Sequence, residues 1–355
     1  MSVLLRFLAT GDFQVHNWKQ FSITLPNGMN SRLANCLKVF QIVRREAKAR
    51  GITKFLANGD IFEETDYINV EVYDAVYKEL EKCSDIGMET AINLGNHDIC
   101  SESGGRILHS LRPFRKVARV LEEPTRLWYH LQVVPYMENP SEFKKAVADL
   151  APTAGLVLHC GVQGATTGPT SYLVRNPIKL KDVRPKDFRL VLLSDYHTSQ
   201  WLRNNVFYLG SPLQHTFGEI HKPAIWDVTL YDREPYYRLV AIPTNLPSFR
   251  RIKASTRRQL TKQISRCCGD YVRVIVPEDS TGLSDAEVDA IARRSGCLYQ
   301  IERQGDEVED AAHENAHALE PVEAMTRYVK AHIDVRSKRR RLIGLGRRLY
   351  EGGRD

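Results

Sequence analysis

Polar residues follow five apolar runs of the sequence, at the points where the runs end. Asp12 follows the first run, "VLLRFLAT", and Asp60 follows the second, "ITKFLAN". The runs "ETAINL" and "FRLVLLS" lead in the same way to Asn96 with His97 and to Asp195 with His197, and His159 ends the run "AGLVLHC". Carboxylate, amide and imidazole groups, with no thiolate among them, suit a divalent Mn, Fe, Mg or Zn ion in a hydrolytic site.

These runs predict the strands of a layered α/β domain. They are nearly continuous in apolar residues, which is typical of strands buried on both faces, and helical patterns at Leu33 to Arg50 and Val70 to Cys83 lie between them. The ligand crevice of an open α/β sheet lies outside the carboxyl ends of its strands, so five polar clusters placed there can converge on one site. A single Asp at a strand end is more often a cap or turn residue, so the prediction depends on the whole group.

Composition narrows the class of protein. The chain has 355 residues and a formal charge of +7, which fits a polyanionic partner. Its seven cysteines include no CxxC pair, which argues against a disulfide framework and a cysteine zinc site and favours a reducing, cytosolic compartment. No apolar run approaches the roughly 20 residues of a membrane helix, so we expect a soluble protein without a membrane partner.

The character of the chain changes near residue 247. "DYVRVIVPE" and "CLYQIERQ" read as strands around a helix, "LSDAEVDAIARRSG", in which Ser284 and Glu287 are spaced as a capping box. We predict three regions: a catalytic domain over 1–247, a small α+β capping domain over 248–305, and a helical region over 306–355. Two basic runs without acids, Arg250 to Arg266 and Arg336 to Arg348, lie in the last two regions.

The order of the motifs resembles that of the calcineurin-like metallophosphoesterases. The matching pieces are "GDFQVH" (11–16), "NGDIFEE" (58–64), "GNHD" (95–98), "LHCG" (158–161) and "SDYH" (194–197). "YLGSPLQHTFGE" (208–219) is similar to a segment of the SbcD-type nucleases, which large bacteriophages also encode. The resemblance implies a layered β-sandwich flanked by helices, with a small capping domain and C-terminal helices.

The resemblance also implies a site with two divalent ions, Mn²⁺ before Mg²⁺. Asp60 would bridge the ions, Asp12 and His197 would hold the first, and Asn96 and His159 the second. His97 would act on the leaving oxygen as the catalytic histidine, and Asp98 would orient an imidazole.

Two positions depart from the family pattern. Gln14 stands where the family has a histidine, and the nearest imidazole is His16; residues 14 and 16 share a face of a regular strand, and we favour His16 as the ligand. Asp195 stands where the family has another histidine. A carboxylate there can still coordinate metal and would shift the preference towards Mn²⁺ or Mg²⁺. A damaged site is the alternative interpretation.

The remaining candidates concern DNA. Ser211, Gln214 and His215 belong to the SbcD-like segment, although His215 is more often a structural residue. The first basic run contributes Arg250, Arg251, Lys253, Arg257 and Arg258, which are a solvated face in the simpler interpretation.

The resulting hypothesis is a Mn-dependent DNA exo- and endonuclease that acts in DNA end processing, recombination or repair. Its implied partners are DNA and an SbcC-type ABC ATPase, on which the helical region over 306–355 would dock. The resemblance further implies a homodimer inside a heterotetramer, in the cytosol of a bacterium or a phage-infected host. One alternative is a phosphomonoesterase or nucleotidase on the same fold, which would not need a basic second domain. The other is a non-catalytic DNA-binding scaffold.

Overall fold

The computed structural model describes most of the chain. The described residues are 2–103, 106–167, 172–173, 176–233, 236–277, 280, 283–304, 342 and 345. The predicted helical region over 306–355 therefore lies outside them, except for two positions.

Strands and short helices alternate along the first two thirds of the chain. The strands are β1 Val3–Thr10, β2 Lys54–Asn58, β3 Glu89–Asn93, β4 Ile99–Ser103, β5 Arg106–His109, β6 Arg119–Leu121, β7 Thr125–Leu127, β8 Leu131–Val134, β9 Gly155–His159, β10 Thr166–Thr167, β11 Tyr172–Leu173, β12 Leu190–Ser194, β13 Gln200–Arg203, β14 Val206–Tyr208, β15 Ala224–Tyr231, β16 Tyr237–Pro243, β17 Phe249–Lys253, β18 Tyr271–Pro277 and β19 Leu298–Gln304. The helices are α1 Ser31–Arg50, α2 Val70–Asp85, α3 Pro140–Ala148, α4 Arg257–Ile264 and α5 Asp285–Ser295, with 3₁₀ turns at Asn96–Asp98, Arg112–Lys116 and Leu180–Val183.

Two six-stranded sheets, formed by strands between β1 and β16, dominate the first part of the chain. The first has the order β16-β15-β1-β2-β3-β6, and β1, β2, β3 and β6 run parallel. The second has the order β13-β14-β12-β9-β8-β7, and its four central strands, β14, β12, β9 and β8, run parallel. The parallel strands end at the same edge of each sheet, which is where the polar residues follow them.

The two sheets pack face to face and carry helices on their outer faces. Side chains of β1 alternate: Phe7 faces the core between the sheets, while Leu8 packs in the core under α1 and α2. A third core lies between the outer face of the second sheet and α3, where Phe143 is fully buried. The predicted layered α/β architecture, a β-sandwich flanked by helices, is confirmed.

The small domain, residues 248–304, has a core of its own. Its strands β17, β18 and β19 are all parallel and α4 and α5 connect them, so the predicted mixed unit is a regular β-α-β-α-β arrangement. Ser284 is the N-cap of helix α5 and forms the predicted capping box with Glu287. Strand β17 overlaps the start of the first basic run and was not predicted, because its charged residues hide the apolar pattern that marks a strand.

None of the helices in the described part of the chain is long and apolar enough to cross a membrane.

Candidate metal centre

The carboxyl ends of the central strands of both sheets meet at one crevice. Asn58, the last residue of β2, donates from Nδ2 to the carbonyl oxygen of Leu158 (2.9 Å) and to Oγ of Ser194 (3.0 Å), which belong to the other sheet. Asn93 at the end of β3 donates to Oδ1 of Asn58 (2.9 Å). These buried hydrogen bonds join the sheets where the strands end, so the residues that follow the strands come together.

Asp12, Asp60 and His159 form a compact group in this crevice. One possible ligand atom from each lies within 4.8 Å of the others, and all three residues are buried. Oδ2 of Asp12 has no hydrogen-bond partner among the described residues. A buried carboxylate oxygen without a partner is costly, and a divalent cation would satisfy it. Two carboxylates and an imidazole at this spacing therefore fit a divalent metal ion.

Backbone strain accompanies the group. Asp12 and Asp60 both have a φ of 54°, Gln14 has a φ of 43° and Asp195 a φ of 107°, all in the left-handed region that side chains other than glycine rarely adopt. Such conformations cost of order 1–3 kcal/mol each and persist where the surrounding structure enforces them, most often at functional sites.

Two glycines allow the close approach of the loops. A Cβ atom on Gly59 would lie 2.1 Å from Nδ1 of His159, and one on Gly95 would lie 2.1 Å from Oδ1 of Asp60. No side chain fits at either position without displacing the group. The glycines of "NGD" and "GNHD" are thus part of the site, because they leave room for its ligands.

Three imidazoles of the site share one orientation. In His159, His197 and His97, Nδ1 lies 2.8, 2.7 and 2.6 Å from the carbonyl oxygen of Asn58, Oε1 of Glu219 and the carbonyl oxygen of Glu63, respectively. Carbonyl oxygens only accept, as does the ionised carboxylate of Glu219, so Nδ1 carries the hydrogen and Nε2 is left as the basic nitrogen. Histidines that bind metal are held in this way by an oxygen on the far side of the ring.

The charges of the crevice suit a cation. Burial raises the pKa of Asp12 to about 7, against the opposing charges of His159 and His197. Burial opposes the charged form of both imidazoles, yet Asp60 raises the pKa of His159 to about 10 and Glu219 raises the pKa of His197 to about 9. Protons on these groups offset the charge of the carboxylates, a role that a bound cation would take over, so metal binding would release protons.

The "GNHD" turn brings two partly exposed side chains to the group. Oδ1 of Asn96 lies 3.1 Å from Nε2 of His159, which places the amide beside the imidazole. The backbone N–H of His97 donates to Oδ1 of Asp60 (3.0 Å) and fixes that carboxylate. Both Asn96 and His97 are partly exposed, so this is a side from which a substrate can approach.

The carboxylate of Asp98 accepts hydrogen bonds from backbone N–H groups, where an imidazole partner was predicted. Its Oδ2 accepts the N–H groups of Asp60 and Gly95, each at 2.9 Å, and its Oδ1 accepts that of Ile61 at 3.0 Å. The predicted role, orientation of a histidine ring, differs from this arrangement, in which the carboxylate ties the loop after β2 to the loop after β3. An aspartate beside a turn can orient a histidine ring or accept backbone N–H groups, and the sequence does not distinguish these roles.

Gln14 and Asp195 are the two positions that depart from the pattern of the resembled family. The backbone N–H of Asp195 donates to Oδ1 of Asp12 (3.1 Å), so Asp195 is at the site. Gln14 is buried, while His16 is partly exposed and packs its ring edge on Trp18, 5.1 Å between centroids. Residues 14 and 16 do not share a strand face, because β1 ends at Thr10 and the positive φ of Gln14 breaks the alternation. His16 as a metal ligand stays a prediction.

The predicted DNA contacts in the segment 208–219 are buried. Ser211 donates to the carbonyl oxygen of Leu213 (2.7 Å), and Nε2 of Gln214 donates to that of Glu219 (3.0 Å). His215 lies with Nε2 3.3 Å from the carbonyl oxygen of Asp12. All three side chains are buried and are held by groups inside the fold, an arrangement that suits a supporting role. Their contact with DNA stays a prediction.

The basic residues of the small domain divide into two groups. Arg250 pairs with Asp270, and Arg251 donates to the carbonyl oxygen of Phe217 (2.9 Å). All five residues are exposed, and Lys253, Arg257 and Arg258 lie on β17 and α4. These three remain the candidate surface for phosphates.

Glu219 is a residue of the site that was not predicted. It ends the segment "GSPLQHTFGE", and its carboxylate holds both the His197 ring and the backbone N–H of His215, the latter at 2.9 Å. An acidic residue four positions after a histidine is too common a pattern to identify this role.

No family model matches this chain, and no curated protein sequence matches it. Solved structures do match. Among them is the crystal structure of a dimetal phosphatase from Danio rerio, with a TM-score of 0.39 and 8% identity over 68% of this chain and 97% of that chain. A likeness of this size carries no weight for function, and the functional proposal therefore rests on the residues of the site.

Proposed function

We propose that this protein is a metal-dependent phosphodiesterase that hydrolyses DNA, with two divalent ions, Mn²⁺ before Mg²⁺, in the crevice. The observation that carries the proposal is the convergence of Asp12, Asp60 and His159 around a buried carboxylate oxygen that has no partner among the described residues. The imidazoles that leave Nε2 basic add nitrogen ligands to the same place. Oxygen and nitrogen ligands of this kind are typical of metal-assisted hydrolysis of phosphate esters.

The ligand side chains and their supports have separate tasks. The ions would be held by Asp12, Asp60, Asn96, His159 and His197, and they supply charge stabilisation to the phosphoryl group and activate water when bound. Asn58 and Glu219 keep the histidine rings in the required tautomer.

His97 is suited to proton transfer. Burial opposes the charged form of its imidazole, yet Asp60 raises the pKa of His97 above its usual value. A protonated His97 at the partly exposed side of the group can donate its proton to the leaving oxygen.

DNA as the substrate is supported by the small domain. Residues 250–266 contain seven Arg or Lys and no acid, and Lys253, Arg257 and Arg258 are exposed. Strand β17 is an edge strand that contacts the segment around Gln214, since the N–H of Phe249 donates to Oε1 of Gln214 at 2.7 Å. The exposed basic residues therefore belong to a domain that contacts a loop near the metal centre, which supports their assignment to DNA phosphates.

The experiment compares diester and monoester substrates. We expect Mn²⁺-dependent cleavage of end-labelled single- or double-stranded DNA and of bis(p-nitrophenyl) phosphate, with little hydrolysis of p-nitrophenyl phosphate. EDTA and Asp60→Asn should abolish it. Asp227→Asn is the matched control, because Asp227 is also a buried aspartate of the first sheet but pairs with Arg6 outside the crevice. Hydrolysis of the monoester alone would favour a phosphatase, and metal binding without any hydrolysis would favour a scaffold.

An ATPase partner stays a proposal. The region assigned to docking, residues 306–355, lies outside the described residues, and only the family resemblance supports its role. Truncation after Asp310 should leave a metal-loaded nuclease that no longer co-purifies with the ATPase. Full retention of the ATPase by the truncated protein would contradict the assignment.

A further inference from the structure

We infer that Arg32 is a positioning residue that couples the small domain to the orientation of His197. The inference rests on the proposed function, because it treats His197 as a metal ligand. Arg32 is the second residue of α1 and lies outside all of the motifs that identify the site.

A chain of three hydrogen bonds leads from His197 to Arg32. Nδ1 of His197 donates to Oε1 of Glu219 (2.7 Å), and Oε2 of Glu219 accepts the backbone N–H of His215 (2.9 Å). The carbonyl oxygen of His215 then accepts from Nη2 of Arg32 (2.9 Å). The position of the guanidinium therefore fixes the backbone of His215, and this backbone fixes the carboxylate that orients the His197 ring.

Aromatic rings hold the Arg32 guanidinium. It lies 4.8 Å from the ring centroid of Trp18, 5.0 Å from that of Phe249 and 5.4 Å from that of Tyr271. The residue is only 5% exposed, and the ion pairs among the described residues do not include it. A buried cation without a paired carboxylate is costly, so this arginine is stable there only while the rings and carbonyl groups around it are in place.

Two of the three rings belong to the small domain. Asn35 of α1 donates to the hydroxyl oxygen of Tyr271 (2.9 Å), and the N–H of Phe249 donates to Oε1 of Gln214 (2.7 Å). Nε2 of the same Gln214 donates to the carbonyl oxygen of Glu219 (3.0 Å). The small domain thus reaches Glu219 by two routes, through the ring cage of Arg32 and through Gln214. A displacement of the small domain would release the His197 ring.

A lysine cannot replace Arg32 in this role. The guanidinium stacks on rings with its faces while its edge donates to carbonyl groups, whereas an ammonium is a compact, strongly hydrated charge. Partners that hold a metal-binding histidine from behind typically change metal affinity by about 10- to 100-fold when they are removed. Arg32→Lys should therefore weaken metal binding even though the charge is kept.

The test measures Mn²⁺ binding by isothermal titration calorimetry, together with thermal unfolding by circular dichroism. We expect Arg32→Lys to bind Mn²⁺ about 10-fold more weakly than the wild type, at a temperature where both are folded. Arg45→Lys is the matched control, since Arg45 is on the same helix but 66% exposed at its side chain, and it should bind as the wild type does. Glu219→Gln should weaken binding as well, and the double variant should be no weaker than the weaker single variant, because both act through one chain of contacts.

If Arg32→Lys does not fold, Tyr271→Leu is the second variant, because it removes one of the small domain's two rings around the guanidinium. It should also bind Mn²⁺ about 10-fold more weakly than the wild type. Unchanged Mn²⁺ affinity in a folded Arg32→Lys variant, or a lower melting temperature alone, would overturn the inference while leaving the proposed function intact. Equal weakening by Arg45→Lys would overturn it too. Failure of the wild type to bind Mn²⁺ would overturn both.

Discussion

Gly95→Ala tests whether the close approach of two loops creates the metal centre. The backbone of Gly95 has a φ of −101°, which alanine adopts freely, so the substitution adds a methyl group without backbone strain. That methyl carbon would lie 2.1 Å from Oδ1 of Asp60, 2.5 Å from its backbone nitrogen and 2.7 Å from Cε1 of His159. The clash therefore involves two members of the proposed ligand group.

The size of the effect is set by these distances. Ordinary contact begins at 3.4 Å, so Oδ1 of Asp60 must move by about 1.3 Å, and a misplacement of about 1 Å at an active site costs on the order of 100-fold in rate. The loops cannot simply separate, because one oxygen of Asp98 accepts the N–H groups of both Asp60 and Gly95. Overpacking of this kind destabilises a fold by about 1–3 kcal/mol. We expect a folded protein with diesterase activity lower by about 100-fold or more and with weaker Mn²⁺ binding.

The assay pairs calorimetric Mn²⁺ titration with urea unfolding. Gly155→Ala is the control: its methyl group would lie 2.6 Å from Cδ2 of Leu131, at the start of β9 and away from the crevice. It should lose a similar amount of stability and keep metal binding. Wild-type Mn²⁺ affinity in Gly95→Ala would refute the reasoning, because the ligands would then not depend on this contact.

Three further predictions concern proton donation, a buried ion pair and the basic surface. His97→Ser should keep the bound metal and lose turnover, since the proposed task of His97 is proton donation; loss of metal would show that it is a ligand. Although burial opposes the charge of Asp227, hydrogen bonds from Arg6 hold the pKa of Asp227 below its usual value. The stabilisation of the fold by these hydrogen bonds is therefore complete at pH values well above the usual Asp pKa of about 3.9. It is lost as the pH falls through the lowered pKa that Asp227 has in the folded protein. Asp227→Asn should cost about 2 kcal/mol at pH 7 and much less near pH 3, by urea unfolding at both pH values. Replacing Lys253, Arg257 and Arg258 by Gln should weaken DNA binding and make its salt dependence shallower, by about one unit of slope for each phosphate that is no longer neutralised; an unchanged slope would remove this surface from the DNA site.

The sequence by itself determined the layers around the two large sheets and the place of the candidate site. Continuous apolar runs predict buried strands because a strand covered on both faces has no polar side, and the helices between them are predicted from the spacing of their apolar residues. Strands β1, β2, β3, β9 and β12 and helices α1 and α2 were all predicted in this way. Parallel strands end at one edge whatever their order in the sheet, so residues at the strand ends come together. Asp12, Asp60 and His159 were predicted as site residues for this reason.

Only the tertiary structure decided which side chain touches which. The comparison of Gln14 with His16 assumed a regular strand, in which both side chains share a face, but the positive φ of Gln14 breaks that pattern. A local backbone conformation of this kind depends on neighbours from distant parts of the chain. Asp98 faces backbone N–H groups, and Gln214 is buried, because the loops that surround them come from other strands. The Arg32 contacts join α1, the loop after β14 and the small domain, three segments that no local pattern relates. Spacing along the chain predicts where a side chain emerges, whereas its partners are set by packing between segments far apart in sequence.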